Sequence, residues 1–341
     1  MKIIKNHRYL IAIIACLVAC CAILFYYFFC SFSNKETTQY LYIDDDDNVD
    51  SVFYKINGMA TGHGMSAFQT LARHWSYSDN IRTGRYAIEP SEGAFSVFRK
   101  IKNGMQKPVS LTIPSTRTID KLSEYLGSKL MIEEDDIFNT LSNNEICKKY
   151  GYDTLTISCM FIPNTYDIYW NITMDNFLER MKKESDAFWK GERQQKAKAM
   201  GLNEKEVITL ASIIDEETAN DKEKPMVAGM YYNRLKANMP LQADPTIKYA
   251  LKDLSLKRIY NNMLSVNSPY NTYRNIGLPP GPIRIPTVAG IDAVLNYVHH
   301  NYLYMCARED FSGMHNFAQT YEEHLQNAAK YSNALNSRGI K

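Results

Sequence analysis

An uninterrupted apolar segment near the N-terminus is the strongest constraint on how this chain folds. Residues 9–32 carry no charged side chain and are almost entirely apolar. A segment of this length crosses the hydrocarbon core of a bilayer as one helix. Lys2, Lys5 and Arg8 precede it, and basic residues of this kind stay on the cytoplasmic side of a membrane. The sequence therefore predicts a cytoplasmic N-terminus, one span in the cell inner membrane, and a body outside the cytoplasm.

A cleaved signal peptide is the alternative to an anchor. Residues 17–20, Leu-Val-Ala-Cys, have the form of a bacterial lipoprotein cleavage box. The apolar run continues past this box through Phe25 and Phe29, so cleavage before Cys20 would leave an apolar stub on the mature protein. We therefore expect residues 1–33 to remain as a cytoplasmic N-terminus and transmembrane anchor.

Composition and cysteine usage exclude several kinds of protein. With 341 residues, 45% of them hydrophobic, the chain has enough apolar material for two modest domains. A net charge of +2 argues against a nucleic-acid partner, which would favour a basic surplus. Cys147, Cys159 and Cys306 lie outside the anchor at spacings that fit no metal site, so buried free thiols are expected and no metal or cofactor is predicted.

The residues after the anchor divide into a linker and two folded regions. Residues 34–50 are a predicted juxtamembrane linker, whose acidic run 44–47 lacks the glycine turn of a calcium loop and is interpreted as a solvated spacer. Residues 51–130 alternate short strands and helices, with a strand at 84–88, and predict a small α+β module. Residues 131–341 predict a larger mixed α/β domain, so the fold class is α+β.

Several elements of the larger region can be predicted individually. A charged amphipathic pattern indicates one long helix at 174–200, and Asp221 is suited to cap the following helix, which has Pro225 in its first turn. Asp244 before Pro245 is the pattern of another helix cap. Residues 302–307 and 314–318 indicate a hairpin, in which His315 is interpreted as a structural histidine.

An acidic run closes the most strongly patterned helix of the chain. Asn203 and Glu206 form a capping-box pattern, and the apolar stripe that follows ends at Asp215-Glu216-Glu217. At 100° per residue, Glu216 points away from the stripe and is expected to be solvated, while Asp215 and Glu217 flank it. Partial desolvation and the helix dipole would raise the pKa of such a flanking carboxyl, as a general acid requires. By periodicity alone, a solvated helix end is the more common outcome.

Stiff loops follow, and they suit either sugar binding or ordinary packing. Residues 268–273 read Ser-Pro-Tyr-Asn-Thr-Tyr, and residues 277–282 read Gly-Leu-Pro-Pro-Gly-Pro. Prolines fix φ and remove backbone donors, so the second run is a rigid loop. Tyrosine rings stack on pyranose rings, and amides bond hydroxyl groups.

Taken in order, these motifs resemble one family. Residues 211–218, 232–234, 241–246, 268–273 and 277–281, together with the hairpin carrying His315 and Phe317, are similar to the MltG (YceG-like) endolytic murein transglycosylases. The resemblance covers residue 84 to the C-terminus. It implies a membrane-anchored lytic transglycosylase, with residues 51–130 as a LysM-like subdomain and residues 131–341 as the catalytic domain.

The resemblance also implies which residues act. Glu217 matches the catalytic glutamate of the family, whereas Asp215 stands where the family commonly has a glutamate and is the less favoured catalyst. Residues implied in substrate binding by resemblance and chemistry are Asn233, Gln242, Asp244, Thr246, Tyr270, Asn271, Thr272 and Tyr273. The substrate would be peptidoglycan, cut within strands between MurNAc and GlcNAc to leave 1,6-anhydroMurNAc ends. A role in terminating nascent strands, with cell-wall synthases and division proteins as partners, is implied as well.

Two other functions fit the same residues. Asp244 would activate water in an inverting hydrolase, because such enzymes place two carboxylates about the scissile bond. The chain would alternatively be a non-catalytic glycan-binding scaffold of the cell-wall machinery. The released sugar ends distinguish the first alternative from a lyase, and the cellular effect of changing Glu217 distinguishes the second.

Overall fold

The structure, a computed structural model, describes residues 2–256 and 258–338. The chain forms two compact units. Unit 1 extends to Leu111 and includes Lys129–Met131 and Asp167–Ile172, and unit 2 contains Thr112–Ser128, Ile132–Tyr166 and the chain from Thr173 onward. Both units mix helices with short strands, so the predicted mixture of helix and strand is confirmed.

Unit 1 consists of the N-terminal helix, three shorter helices, a two-stranded sheet and a strand at its end. Its elements are α1 (Lys2–Phe29), β1 (Gln39–Ile43), α2 (Val49–Asn57), α3 (Gly62–His74), β2 (Gly84–Ile88), α4 (Ala94–Lys102) and β3 (Val109–Thr112). Strands β1 and β2 pair antiparallel, with Ile43 opposite Gly84. Leu41 and Ile43 alternate inward to the core, which Phe68 and Phe98 fill from α3 and α4.

The predicted linker contains ordered structure. Strand β1 lies within residues 34–50, because its alternating apolar residues find a core to pack on. The acidic run that follows is predicted to be a solvated spacer, and this holds for Asp45 and Asp46, which are exposed. It is wrong for the other two: the Lys55 ammonium lies 2.5 Å from a carboxylate oxygen of both Asp44 and Asp47, and the Asp47 side chain is only 5% exposed. Ion pairing within unit 1 therefore fixes this turn.

The apolar N-terminal helix enters the core of unit 1 at its C-terminal end. Helix α1 is long and apolar enough to cross a membrane over Tyr9–Phe29, as predicted. The predicted span is three residues too long, since Phe32 is fully buried in the unit 1 core. Its N–H donates to the Glu92 carbonyl at 2.7 Å and its carbonyl accepts from the Thr61 N–H at 2.8 Å. Protein, and not lipid, covers this side chain.

Unit 2 is mostly helical. Its elements are α5 (Ile119–Gly127), α6 (Glu134–Leu141), α7 (Asn144–Lys149), β4 (Thr165–Ile168, whose last two residues belong to unit 1), α8 (Met174–Trp189), α9 (Glu192–Ala199), α10 (Glu204–Glu217), α11 (Lys224–Lys236), α12 (Asp244–Ala250), α13 (Val288–Leu295), β5 (Tyr304–Ala307), β6 (His315–Ala318) and α14 (Tyr321–Ser337). Helix α10 is central, because every residue from 207 to 214 is buried. The predicted capping box of Asn203 and Glu206, and the hairpin β5–β6, are confirmed.

Two predicted helix caps are wrong. The residue that caps α11 is Glu223, and Asp221 instead lies 2.7 Å from the Lys224 ammonium as an ion pair. Asp244 is the first residue of α12 and not its cap, which is Ala243. Each carboxylate binds a side chain and not the backbone N–H groups of the helix. Asp221 pairs with the nearby Lys224, whereas Asp244 accepts from Tyr273, which is distant in sequence.

The predicted long helix at 174–200 is also wrong, because it is interrupted. Helix α8 ends at Trp189 and α9 begins at Glu192, with Gly191 between them at φ +94°. Glycine adopts this conformation without steric cost, whereas other residues do not. Charged, helix-favouring residues continue on both sides of the glycine, so the charge pattern alone does not reveal the break.

We expect Gly191→Ala to lower the free energy of unfolding of unit 2 by about 1 kcal/mol, because alanine is strained at positive φ. An added methyl group meets no atom within 4 Å at this position, so packing contributes nothing to the loss. Urea unfolding of the detergent-solubilised chain measures the change. Gly62→Ala is the matched control, since its added methyl is also free of contacts and its φ is not positive; an equal loss in both variants would contradict this account.

Candidate active site

A polar cavity of about 210 Å³ lies in unit 2 at the C-terminal end of α10. Three parts of the fold form its walls: the end of α10, one face of α11, and the hairpin β5–β6, with the segment before α12 and Tyr273 completing it. The lining residues are Glu217, Met230, Tyr231, Arg234, Leu241, Gln242, Asp244, Tyr273, Met305, Cys306, Ala307 and His315. Of the residues predicted to act, Glu217, Gln242, Asp244 and Tyr273 are thus brought together.

Glu217 is the last residue of α10, and it lies half-buried at the cavity. The Tyr231 hydroxyl donates to Glu217 Oε1 at 2.5 Å. Desolvation raises the pKa of Glu217 to about 7, and the negative charge of Asp244 acts in the same direction. The hydrogen bond from Tyr231 and the positive charges of Lys248 and Arg234 oppose the rise. A carboxyl with this pKa can hold a proton and release it near neutral pH, as a general acid must.

Arg234 forms hydrogen bonds to two walls of the cavity. Its guanidinium donates to the Leu303 carbonyl at 2.6 Å and to the Leu241 carbonyl at 2.7 Å, so it links the strand-side wall to the segment before α12. Burial lowers the pKa of Arg234 below its usual value. Tyr231 and Arg234 were not predicted as site residues. Their spacing of three on α11 places both on one helix face, and this is the signal that could have indicated them.

Gln242 and Asp244 are held at the cavity by their backbone and by Tyr273. Gln242 has φ +53°, a strained conformation for a residue other than glycine. The Tyr273 hydroxyl donates to Asp244 Oδ1 at 2.5 Å, and burial together with this contact raises the pKa of the tyrosine. Asp244 therefore faces the cavity with one oxygen occupied by a tyrosine.

Thr272 fixes this arrangement from behind. Its carbonyl accepts from the Gln242 N–H at 3.0 Å and its hydroxyl accepts from the Ala243 N–H at 3.0 Å. The same hydroxyl lies 2.8 Å from that of Thr246, and both threonines are buried. These contacts hold the Gln242 segment against the loop that carries Tyr273.

Five predicted binding residues lie outside the cavity lining among the residues that the structure describes. Thr246 and Thr272 support the segment before α12. The Asn271 amide donates to the Leu264 and Val266 carbonyls, and Tyr270 packs on Tyr249 with ring centroids 4.7 Å apart. The Asn233 amide donates to the His300 and Tyr302 carbonyls. Their binding roles stay predictions, and the structure places them as supports.

The other two acids of the α10 end are occupied by cations. Asp215 lies 2.8 Å from the Lys224 ammonium and accepts from the N–H of Thr287, the residue that caps α13, at 2.6 Å. The prediction that Glu216 is solvated is wrong. Arg117 and Arg284 bind its carboxylate at 2.7 and 2.9 Å, and its side chain is 14% exposed. Glu217 alone of the three faces the cavity.

Comparison with known proteins identifies the family of the chain. The model of the YceG-like family matches residues 41–330. The chain belongs to the YceG-like family. Curated relatives named "Endolytic murein transglycosylase" include one from Streptococcus pneumoniae, 27% identical over 80% of this chain and 54% of the relative, and one from Bacillus subtilis, 32% identical over 80% of this chain and 79% of the relative. The chain thus spans about half the length of the streptococcal relative.

A solved structure shows the same fold. The crystal structure of a putative YceG-like protein from Listeria monocytogenes matches with a TM-score of 0.56 and 24% sequence identity, over 86% of this chain and 99% of that one. This match supports the fold of the chain and carries no argument about its chemistry.

We expect Glu217→Gln to stabilise unit 2 above neutral pH. The pKa of the glutamate is about 7 in the folded chain against 4.5 as the reference value, so the unfolded state loses its proton first as the pH rises. The wild type therefore loses about 3 kcal/mol of stability between pH 4.5 and 7, which the amide does not lose.

Urea unfolding at pH 4.5, 6 and 8 measures the difference between the two proteins. The difference in unfolding free energy between Glu217→Gln and the wild type should be small at pH 4.5 and largest at pH 8. Glu179→Gln, at an exposed position, is the control and should show no such growth. A difference for Glu217→Gln that stays constant with pH would contradict the raised pKa.

Proposed function

We propose that this chain is a membrane-anchored lytic transglycosylase that cuts peptidoglycan strands from within. The observation that carries the proposal is the half-buried carboxyl of Glu217, which lines a polar cavity and whose pKa is raised to about 7. The printed names of the curated relatives support this choice of reaction and substrate.

Glu217 is the catalytic residue in this proposal, as both acid and base. Its carboxyl first gives a proton to the glycosidic oxygen between MurNAc and GlcNAc, and the bond from that oxygen to C1 of MurNAc breaks. The resulting carboxylate then accepts the proton of the MurNAc C6 hydroxyl, whose oxygen bonds to C1. The product is a 1,6-anhydroMurNAc end, and Glu217 regains its proton. The tethered hydroxyl replaces an incoming water.

The other polar groups of the cavity position the glycan. Gln242 contributes an amide beside Glu217, while the Tyr231 hydroxyl fixes the orientation of the glutamate. Thr246 and Thr272 act indirectly, since they hold the strained backbone at Gln242, and Asn271 acts indirectly because its side-chain oxygen accepts from the Tyr273 N–H. This division follows the hydrogen bonds of each residue.

An inverting hydrolase is the second candidate, because Asp244 places a second carboxylate in the cavity. The carboxylate lies in the same cavity as Glu217 and does not cap α12. Inverting enzymes use a second carboxylate to activate water. The Tyr273 hydroxyl occupies one oxygen of Asp244, which leaves the other for a water molecule.

The rest of the chain is assigned a supporting role by this proposal. Helix α1 anchors the protein in the inner membrane with its N-terminus in the cytoplasm, and unit 1 corresponds to the LysM-like subdomain predicted at residues 51–130. The α+β content of unit 1 supports this correspondence. We further propose that the enzyme terminates nascent strands alongside cell-wall synthases and division proteins.

Digestion of purified glycan strands tests the reaction. We expect new ends that lack one water and resist borohydride reduction, because an anhydro ring has no free aldehyde. Products of many lengths are expected from cutting within strands. Glu217→Gln should lower the rate roughly 10²- to 10⁴-fold.

The outcomes separate the candidates. Ends that take up hydrogen would identify a hydrolase, and products of one short length would mean cutting from strand ends. Asp215→Asn serves as the control, since it disturbs the neighbouring ion pair with Lys224 and should lower stability more than turnover per folded molecule. Full activity of Glu217→Gln would remove Glu217 from the mechanism.

Protease treatment of intact spheroplasts tests the topology. The body should be digested, because the proposal places it outside the cytoplasm. A cytoplasmic protein of the same cells must survive the treatment as a control for leakage. Protection of the body, or a mature N-terminus at Cys20 by mass spectrometry, would show that the anchor is wrong.

A further inference from the structure

We propose that His315 binds the glycan directly, presenting its ring Nε2 as a hydrogen-bond acceptor to a sugar hydroxyl or acetamido N–H, and that Glu223 is the positioning residue that sets this role. The inference rests on the proposed function, since it names a specificity residue of the same cavity. It also revises the interpretation of His315 as a merely structural histidine.

A buried carboxylate holds this histidine from two sides. Glu223 immediately precedes α11 and is only 2% exposed. Its Oε1 accepts from the His315 backbone N–H at 2.6 Å, and its Oε2 lies 3.1 Å from ring Nδ1. Because an ionised carboxylate only accepts hydrogen bonds, Nδ1 must carry a proton. The neutral ring therefore has its lone pair on Nε2.

The ring lies at the cavity. His315 is part of the lining, and its cross-strand partner on β5 is Ala307, another lining residue. Within residues 2–256 and 258–338, no side chain or backbone group bonds Nε2, and the atom is not buried. An acceptor oriented by a buried carboxylate thus faces the space that a substrate would fill.

His300 shows what a structural histidine looks like in this fold. Its Nε2 lies 2.9 Å from the Met226 carbonyl and its Nδ1 accepts from the Tyr302 N–H at 3.0 Å, so both ring nitrogens are used by the backbone. His300 is also outside the cavity lining as the described residues form it. Packing explains His300 completely, whereas it leaves one nitrogen of His315 unused.

The chemistry of the cavity explains why an acceptor is useful there. The hydroxyls of Tyr231 and Tyr273 already donate to Glu217 and Asp244, and Arg234 donates to backbone carbonyls. An N-acetylated glycan presents hydroxyl and amide N–H donors that need acceptors. His315 supplies an uncharged acceptor that adds no negative charge beside Glu217.

Glu223→Gln tests the proposal because it reverses the tautomer of the His315 ring while keeping a hydrogen-bond partner beside Nδ1. The amide oxygen must accept from the His315 backbone N–H, so the amide NH₂ faces Nδ1 and forces the proton onto Nε2. The acceptor toward the glycan then becomes a donor. A comparable tautomer reversal beside a catalytic histidine is strongly inactivating in serine proteases.

The measurement uses full-length protein carrying Glu217→Gln, which binds strands without cutting them. With uncross-linked, peptide-free glycan strands as the probe, adding Glu223→Gln should weaken binding about tenfold, the loss of one good hydrogen bond. Histidine ¹⁵N NMR should show the proton of His315 move from Nδ1 to Nε2. His300→Asn is the control, and once corrected for unfolded protein its affinity should be unchanged.

A pair of variants at His315 itself guards against misfolding of Glu223→Gln. His315→Asn retains a donor at the position of Nδ1 and lacks the acceptor, so it should also weaken binding about tenfold, while His315→Gln retains an oxygen near Nε2 and should bind more tightly than His315→Asn. A reversed tautomer with unchanged affinity would overturn the proposal, as would a ring that already carries its proton on Nε2 in the parent protein.

These results are independent of the reaction assay. If strand binding depends on His315 but the wild-type protein makes no anhydro ends, the glycan subsite stands and the proposed reaction fails. If anhydro ends form and binding ignores His315, the reaction stands and the subsite fails.

Discussion

The burial of the middle of α10 determines how the candidate site is built. Every residue from 207 to 214 is enclosed by protein, so the helix has no freedom to rotate. The three acids that follow therefore leave the helix in fixed directions, 100° apart. Asp215 reaches the start of α13, Glu216 reaches two arginines, and Glu217 reaches the cavity. One packed face thus assigns three chemically similar side chains to three different environments.

The site stores unfavourable free energy that the surrounding core offsets. Glu217 is a desolvated carboxyl, Arg234 is a buried cation that donates to backbone carbonyls, and Gln242 has a strained backbone. Each feature costs on the order of 1–3 kcal/mol. They persist because the threonine pair behind Gln242 and the apolar faces of α10 and α11 hold the groups in place. Such unfavourable arrangements are typical of functional sites.

Local patterns predicted the elements that depend on neighbouring residues. The capping box at Asn203, the strand at 84–88 and the hairpin before α14 need only a few consecutive side chains, and the structure has all of them. Prediction failed where a residue chooses between a local partner and a distant one. Asp244 prefers Tyr273, 29 positions away, to the backbone of its own helix. Glu223 and His315 are 92 positions apart, which no local pattern can connect.

The position of Phe32 joins the apolar N-terminal helix to the core of unit 1. This side chain fills the core of unit 1, and its backbone bonds both Glu92 and Thr61, so the segment that follows the apolar helix α1 is fixed to the module. A soluble fragment that starts after Ser33 would leave a phenylalanine-sized void, which typically costs several kcal/mol. Unit 1 can complete its core only with the residues that directly follow α1, so the folding of this module depends on the position of the C-terminal end of that helix.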